Sequence, residues 1–302
     1  MKMRALAFVL LAVAPALAAC GGTPAPDPAK LAAEDHEFDS LRRLARGAFE
    51  NGQYAQAVGL YDRALARAFA RDDLPAIGDL GYESSLALLR DDRPADAARR
   101  ARDTATELAR RGQAPFPALT LAEAVALYGA KDPQAGQTAQ RAREAAGTNA
   151  ALTARADYLI GMIAADSGDA ATLTRIVNGL SAPTEPGLKA DRQELLGRSQ
   201  LLANAPAQAV TSFQDTVELR RKTKDLPGVA RALAFAGQAA QAAGDGAAAA
   251  DFYLRAGRAA QSNGRPADAR QWLTNAAQLA QANGAATVLA EARQRLGDIG
   301  AP

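Results

Sequence analysis

One spacing recurs along this chain and governs what it can fold into. A small residue is followed twelve positions later by a second small residue and seven positions after that by a third. A large residue sits sixteen positions after the first. Ala45, Ala57 and Ala64 carry this pattern with Tyr61; Gly197, Ala209 and Thr216 carry it with Phe213; Gly237, Ala249 and Ala256 carry it with Tyr253. Ser85, Ala97 and Thr104 form a weaker copy, as do Gly161, Leu173 and Leu180, and the copy anchored on Ala124 and Gly136 breaks at Arg143. Successive anchors lie 36–40 residues apart. A repeat of that length is one supersecondary unit that buries its apolar face only by stacking on neighbours. The chain is rich in alanine and only 5% aromatic. Alanine has the highest helix propensity, and its small side chain lets helices pack closely. Runs of Val, Ile, Thr and Tyr typical of strands are absent, so the expected fold is all-α.

The punctuation agrees. Pro94, Pro133, Pro206 and Pro266 are expected where second helices open, because the first helical turn does not need the missing N–H. Gly52, Gly168, Gly244 and Gly264 are expected at helix ends. With Leu41, Leu44, Ala45, Gly52, Gln53, Tyr54, Ala57, Val58, Tyr61, Ala64 and Leu65, the first unit resembles the tetratricopeptide repeat (TPR). The resemblance implies antiparallel helix pairs. Small residues would mark the closest approaches, and the large residue would fill the gap between helices. It also implies a right-handed α-solenoid of about six to seven hairpins over residues 34–300. The final pairs are expected at 229–243 with 247–262 and at 266–282 with 285–296. Glu291, Arg293 and Arg295 would face water on a capping helix. A further match at Gly257, Ala269 and Ala276 leaves the register of 247–282 open, and the repeat is degenerate over 115–190.

Ahead of the repeats, Lys2 and Arg4 precede an apolar run from Ala5 to Ala14. That order of charge and apolar run reads as an export signal. The run is too short to cross about 30 Å of hydrocarbon, which takes roughly 20 residues. Leu17-Ala18-Ala19-Cys20 resembles the lipobox of bacterial lipoproteins, and Cys20 is the only cysteine. The resemblance implies a signal peptide over 1–19 and a lipid-modified Cys20. Residues 20–33 would form a Pro/Gly-rich spacer, and a soluble body would be tethered outside the cytoplasm. Gly21, in place of an aspartate, favours the periplasmic face of the outer membrane.

Loss of residues 1–19 would remove two basic side chains and leave 33 against 33 acidic ones. A neutral body argues against nucleic acid, whose binding rests on basic excess. The Arg220-Arg221-Lys222-Lys224 run reads as a solvated helix end. Catalytic signatures are missing. His36 is the single histidine, and a metal site needs several converging ligands. Gly244-Asp245-Gly246 fits a dinucleotide fingerprint formally, but helical sequence precedes it where a strand is required. No enzyme activity and no cofactor are expected beyond the covalent lipid on Cys20.

The TPR resemblance implies that one face of each first helix lines a concave groove. Carried onto this chain, that face gives Arg42, Arg46, Phe49, Glu50, Tyr82, Tyr128, Arg155, Tyr158, Met162, Arg198, Arg231 and Gln238, with Asp79, Arg90, Asp191 and Glu194 beside them. Arginine and tyrosine are enriched where interfaces are energetically hot. The Lys/Asn pattern of chaperone-tail clamps is absent. The function expected is a membrane-anchored scaffold that binds another envelope protein or peptide segment. The alternative is a lipoprotein that senses a small ligand or glycan strand.

Overall fold

The structure, a computed structural model, describes residues 35–114, 116–180 and 185–300. The expected signal peptide, Cys20 and the spacer to residue 33 lie outside the described residues. Fourteen helices occur among the described residues, and no strand does. They run α1 His36–Glu50, α2 Tyr54–Ala70, α3 Leu74–Arg90, α4 Pro94–Arg110, α5 Pro117–Gly129, α6 Ala135–Ala145 and α7 Ala150–Ser167. They continue as α8 Ala170–Gly179, α9 Pro186–Leu202, α10 Pro206–Lys222, α11 Leu226–Ala242, α12 Gly246–Ser262, α13 Pro266–Ala282 and α14 Ala286–Ile299. Each helix packs on its sequence neighbours, which makes seven hairpins stacked as a TPR-like α-solenoid.

Short signals set the boundaries. The side chains of Asp35, Asp73, Asn149, Asp169, Asp225 and Asp245 each accept a backbone N–H from the opening turn of a helix. Such a cap satisfies one of the donors a helix start leaves unpaired. At the other end the chain reverses through a left-handed residue. After α1 this is Gly52, with φ of 74°, and the next amide, Gln53, bonds back to Ala48 O at 2.8 Å. The 6→1 closure recurs after α2, α3, α11, α12 and α13. Asp72, Asp92, Lys131, Asn204 and Lys224 take the same left-handed position without being glycine.

The small residues lie where they were expected. Ala45, Ala57 and Ala64 are fully buried around Tyr61. At Gly197 an added Cβ would stand 2.7 Å from the Phe213 ring, and at Gly237 3.0 Å from the Tyr253 ring. Phe213 and Tyr253 therefore fill the gap between paired helices, as the repeat requires. At Gly257 an added Cβ would stand 2.5 Å from the Leu273 side chain, so the extra match at 257 marks close packing of α12 on α13, between hairpins six and seven.

Pro133, Pro266 and Leu180 differ from expectation. Pro133 lies two residues ahead of α6, and Pro266 opens α13, the first helix of the last hairpin and not a second helix. Leu180 caps α8 instead of packing within it, because that helix ends at Gly179 after ten residues. Arg143 escapes the packed position: α6 buries Thr138, Ala139 and Ala142 there, and Arg143 turns out to Asp157 at 2.5 Å. Hairpins three and four are thus short-helix variants of the unit, which is why their spacing is degenerate.

The solenoid curls until distant turns face each other. The α1–α2 and α3–α4 turns oppose the α10–α11 and α12–α13 turns across an open cleft, where Arg265 comes within 3.9 Å of Asp92. No described helix is long and apolar enough to cross a membrane.

Candidate functional site

The inner curve of the solenoid encloses a cavity of about 540 Å³, built mainly by the first helices of hairpins two to six. Helical periodicity selects its lining: Tyr82, Leu86 and Leu89 from α3; Leu121, Val125 and Tyr128 from α5; Arg155, Tyr158, Met162 and Asp166 from α7. Steps of three and four residues place each set on one face. Asp191 and Arg198 of α9, Arg220 of α10, and Arg231 and Phe235 of α11 complete the wall, with Asp225 and Pro227 at the start of α11.

A charged network forms one side of the wall. Glu194, with 0% of its surface exposed, accepts from Arg231 through both oxygens, at 2.7 and 3.2 Å, and from Arg220 at 2.8 Å. Arg220 also donates to Asp191 at 2.6 Å and pairs with Asp225 at 3.3 Å. Arg231 donates to the Tyr158 hydroxyl at 3.0 Å. Beside this network, Asp166 accepts from the Tyr128 hydroxyl at 2.6 Å and from Arg198 at 2.5 Å. Arg198 stands 4.6 Å from the Phe235 ring centroid, and Phe235 stacks on Phe213 at 5.4 Å.

These contacts set the protonation states. Burial opposes a charged Glu194, but Arg231 and Arg220 outweigh it and hold the carboxyl down at about 2. Asp191 goes the other way, because burial outweighs Arg220 and the charge of Glu194 adds to it. Burial pushes both Tyr158 and Tyr128 upward, Tyr128 also through its bond to Asp166, so both phenols stay neutral. Burial works against a charged Arg220, but Glu194, Tyr158 and Asp191 prevail and raise it.

Of the sequence-expected groove residues, Tyr82, Tyr128, Arg155, Tyr158, Met162, Arg198 and Arg231 line this one cavity, together with Arg90 and Asp191. The others do not. Phe49 and Glu50 line the cleft between the turns. Arg42 lies 3.9 Å from Asp79, and Arg46 bonds Glu83, so both turn from α1 onto α3 outside the cavity lining. Gln238 is exposed one turn beyond Phe235, outside the lining. Glu194 is a buried counter-ion beneath the surface, because two guanidiniums cover it. Arg220 corrects the reading of its basic run. It is buried rather than solvated, because α9 presents Asp191 and Glu194 to it. Asp166 and Phe235 carried no distinguishing sequence signal, since each has its partners on other hairpins.

The single histidine, His36, opens α1 outside the cavity lining. Among the described residues no group of three or more His, Cys, Asp or Glu side chains could hold a metal ion.

No known family's sequence profile matches the chain, and no curated protein matches it in sequence. Its fold is similar to that of the apo form of the quorum sensor NprR from B. thuringiensis. That match has a TM-score of 0.56 and 11% identity over 87% of each chain. It is also similar to a Rap protein solved in complex with Competence and Sporulation Factor, with a TM-score of 0.58 and 13% identity over 90% of this chain and 77% of that one. Apo RapI matches with a TM-score of 0.52 and 11% identity over 87% of this chain and 76% of its own. At these identities the likeness is one of fold.

Proposed function

We propose that this protein is a lipid-anchored scaffold of a bacterial cell envelope, holding a segment of another envelope protein in its concave cavity. The observation that carries this reading is the cavity wall, in which three tyrosines and five arginines converge from five hairpins on one apolar-floored hollow. Tyrosine and arginine supply large contact areas and directional donors, which is why they dominate binding hot spots. The Rap protein's complex with Competence and Sporulation Factor supports reading a solenoid of this shape as a receptor for another molecule. The lipobox-like Leu17–Cys20 stretch supports the anchor, and Gly21 supports the outer membrane. Its role in this reading is recognition and positioning, not catalysis.

The cavity volume favours one alternative, since small-molecule sites span roughly 300–1,000 Å³. A small ligand or a glycan strand is that second reading. Incorporation of a photo-crosslinking residue at Val125, which lies in the cavity and is 37% exposed, separates the two in living cells. Protein adducts support the scaffold; adducts of glycan or small molecules alone replace it with the second reading.

A further inference from the structure

The charges of the cavity wall are unevenly matched. Each acid that lines it already holds an arginine: Asp166 with Arg198, and Asp191 and Asp225 with Arg220. Buried Glu194 holds Arg220 and Arg231. Arg90 and Arg155 are different. Both are exposed, both line the cavity, and among the described residues neither has an ion-pair or hydrogen-bond partner. They also stand at opposite rims. Arg90 closes α3, two turns beyond Tyr82; Arg155 lies near the start of α7, one turn before Tyr158. Tyr82 and Tyr158 hold equivalent places in their helices, each eight residues past the first. At 1.5 Å per residue the two guanidinium-bearing positions are offset by roughly 16 Å along the helix axes. α5 packs between α3 and α7, and two helix spacings of about 9 Å add roughly 18 Å across the groove, a separation of roughly 24 Å in all. Between them lie Leu121, Val125 and Met162, an apolar floor.

We propose that the cavity receives an extended peptide carrying two acidic side chains about seven residues apart, with apolar side chains between them. Each acid pairs with one of the two rim arginines, and the apolar residues seat on the floor between α5 and α7. An extended chain advances about 3.4 Å per residue, so a separation of roughly 24 Å sets an interval of about seven residues. Arginine favours carboxylates because its planar fork matches them bidentately. The assignment rests on the peptide-binding reading above and adds the chemistry of the peptide.

The test is selection of a random-peptide display library on the immobilised full chain in mild detergent. Enriched sequences should carry Asp or Glu at two positions roughly six to eight apart, with apolar residues between them. The selected peptide should bind the Arg155→Ala and Arg90→Ala variants about tenfold more weakly, and added salt should weaken binding to the wild type. The double variant should enrich peptides that keep the apolar centre and lose the acidic pair. Both arginines are exposed and unpaired, so unchanged melting of the variants confirms that the loss is one of recognition. Enriched peptides without acids, or an acidic bias that survives in the double variant, overturn this assignment while the groove reading stands. Failure to enrich any peptide overturns the groove reading itself.

Discussion

Glu194 offers the sharpest test of the network behind the cavity. Replacement by Gln keeps its shape and removes its charge, leaving Arg231 without its carboxylate and Arg220 with only Asp191 and Asp225. The carboxyl is fully buried and lowered from 4.5 to about 2. One pKa unit is worth 1.36 kcal/mol, so the ionised form contributes about 3 kcal/mol at pH 7. The sign follows from the depressed folded value. The contribution is fully present above the unfolded value of 4.5 and is lost as pH falls toward about 2. Urea unfolding followed by circular dichroism should therefore place Glu194→Gln about 3 kcal/mol below wild type at pH 7. The gap should shrink to less than half by pH 3, because wild type loses the charge that the variant never had. Removing one partner from a buried ion pair costs a similar amount in other settings. A gap that stays constant with pH, or one under about 1 kcal/mol at pH 7, would refute the argument that two guanidiniums dominate this site.

Other expectations concern the anchor, the stack and the turns. Cys20→Ser should move the protein from the membrane fraction to the soluble envelope fraction, and undiminished membrane retention would count against lipidation. Gly197→Val forces a side chain onto the Phe213 ring and should cost about 1–3 kcal/mol of stability, with partial rescue by Phe213→Leu. Thermal melting of the single and double variants checks this; an unchanged single variant would mean that the helices do not approach so closely. Gly47 and Gly52 should respond oppositely to alanine. Gly47 is helical with open space around its Cβ and should gain up to about 1 kcal/mol, whereas Gly52, at φ of 74°, should lose about as much. Equal responses in their melting temperatures would contradict the left-handed turn.

Much of the fold is legible in the sequence because its determinants are local. Asp73 caps the helix that begins one residue later, Gly52 reverses the chain at its own position, and Gly197 is only sixteen residues from the ring that fills its space. The spacing failed where helices are short. Between 115 and 190 the helices stop early, α6 after eleven residues ahead of Gly147 and Asn149 and α8 after ten ahead of Pro183; these breakers are in the sequence, but a search for the fixed repeat spacing does not read them.

The cavity divides along the same line. Helical phase alone brought Tyr82, Tyr128, Tyr158 and Met162 to the inner face of their own hairpins, so the sequence determined which residues face inward. Only the tertiary structure decided which of them meet. Arg231 reaches Glu194 across 37 residues and Tyr158 across 73. Arg220 looked like one member of a solvated basic run until α9 brought two acids against it. Such contacts depend on the curvature of the stack, which accumulates from small rotations between successive hairpins. No single repeat encodes that sum, so the partners of a charge on the inner curve are fixed by the assembled solenoid.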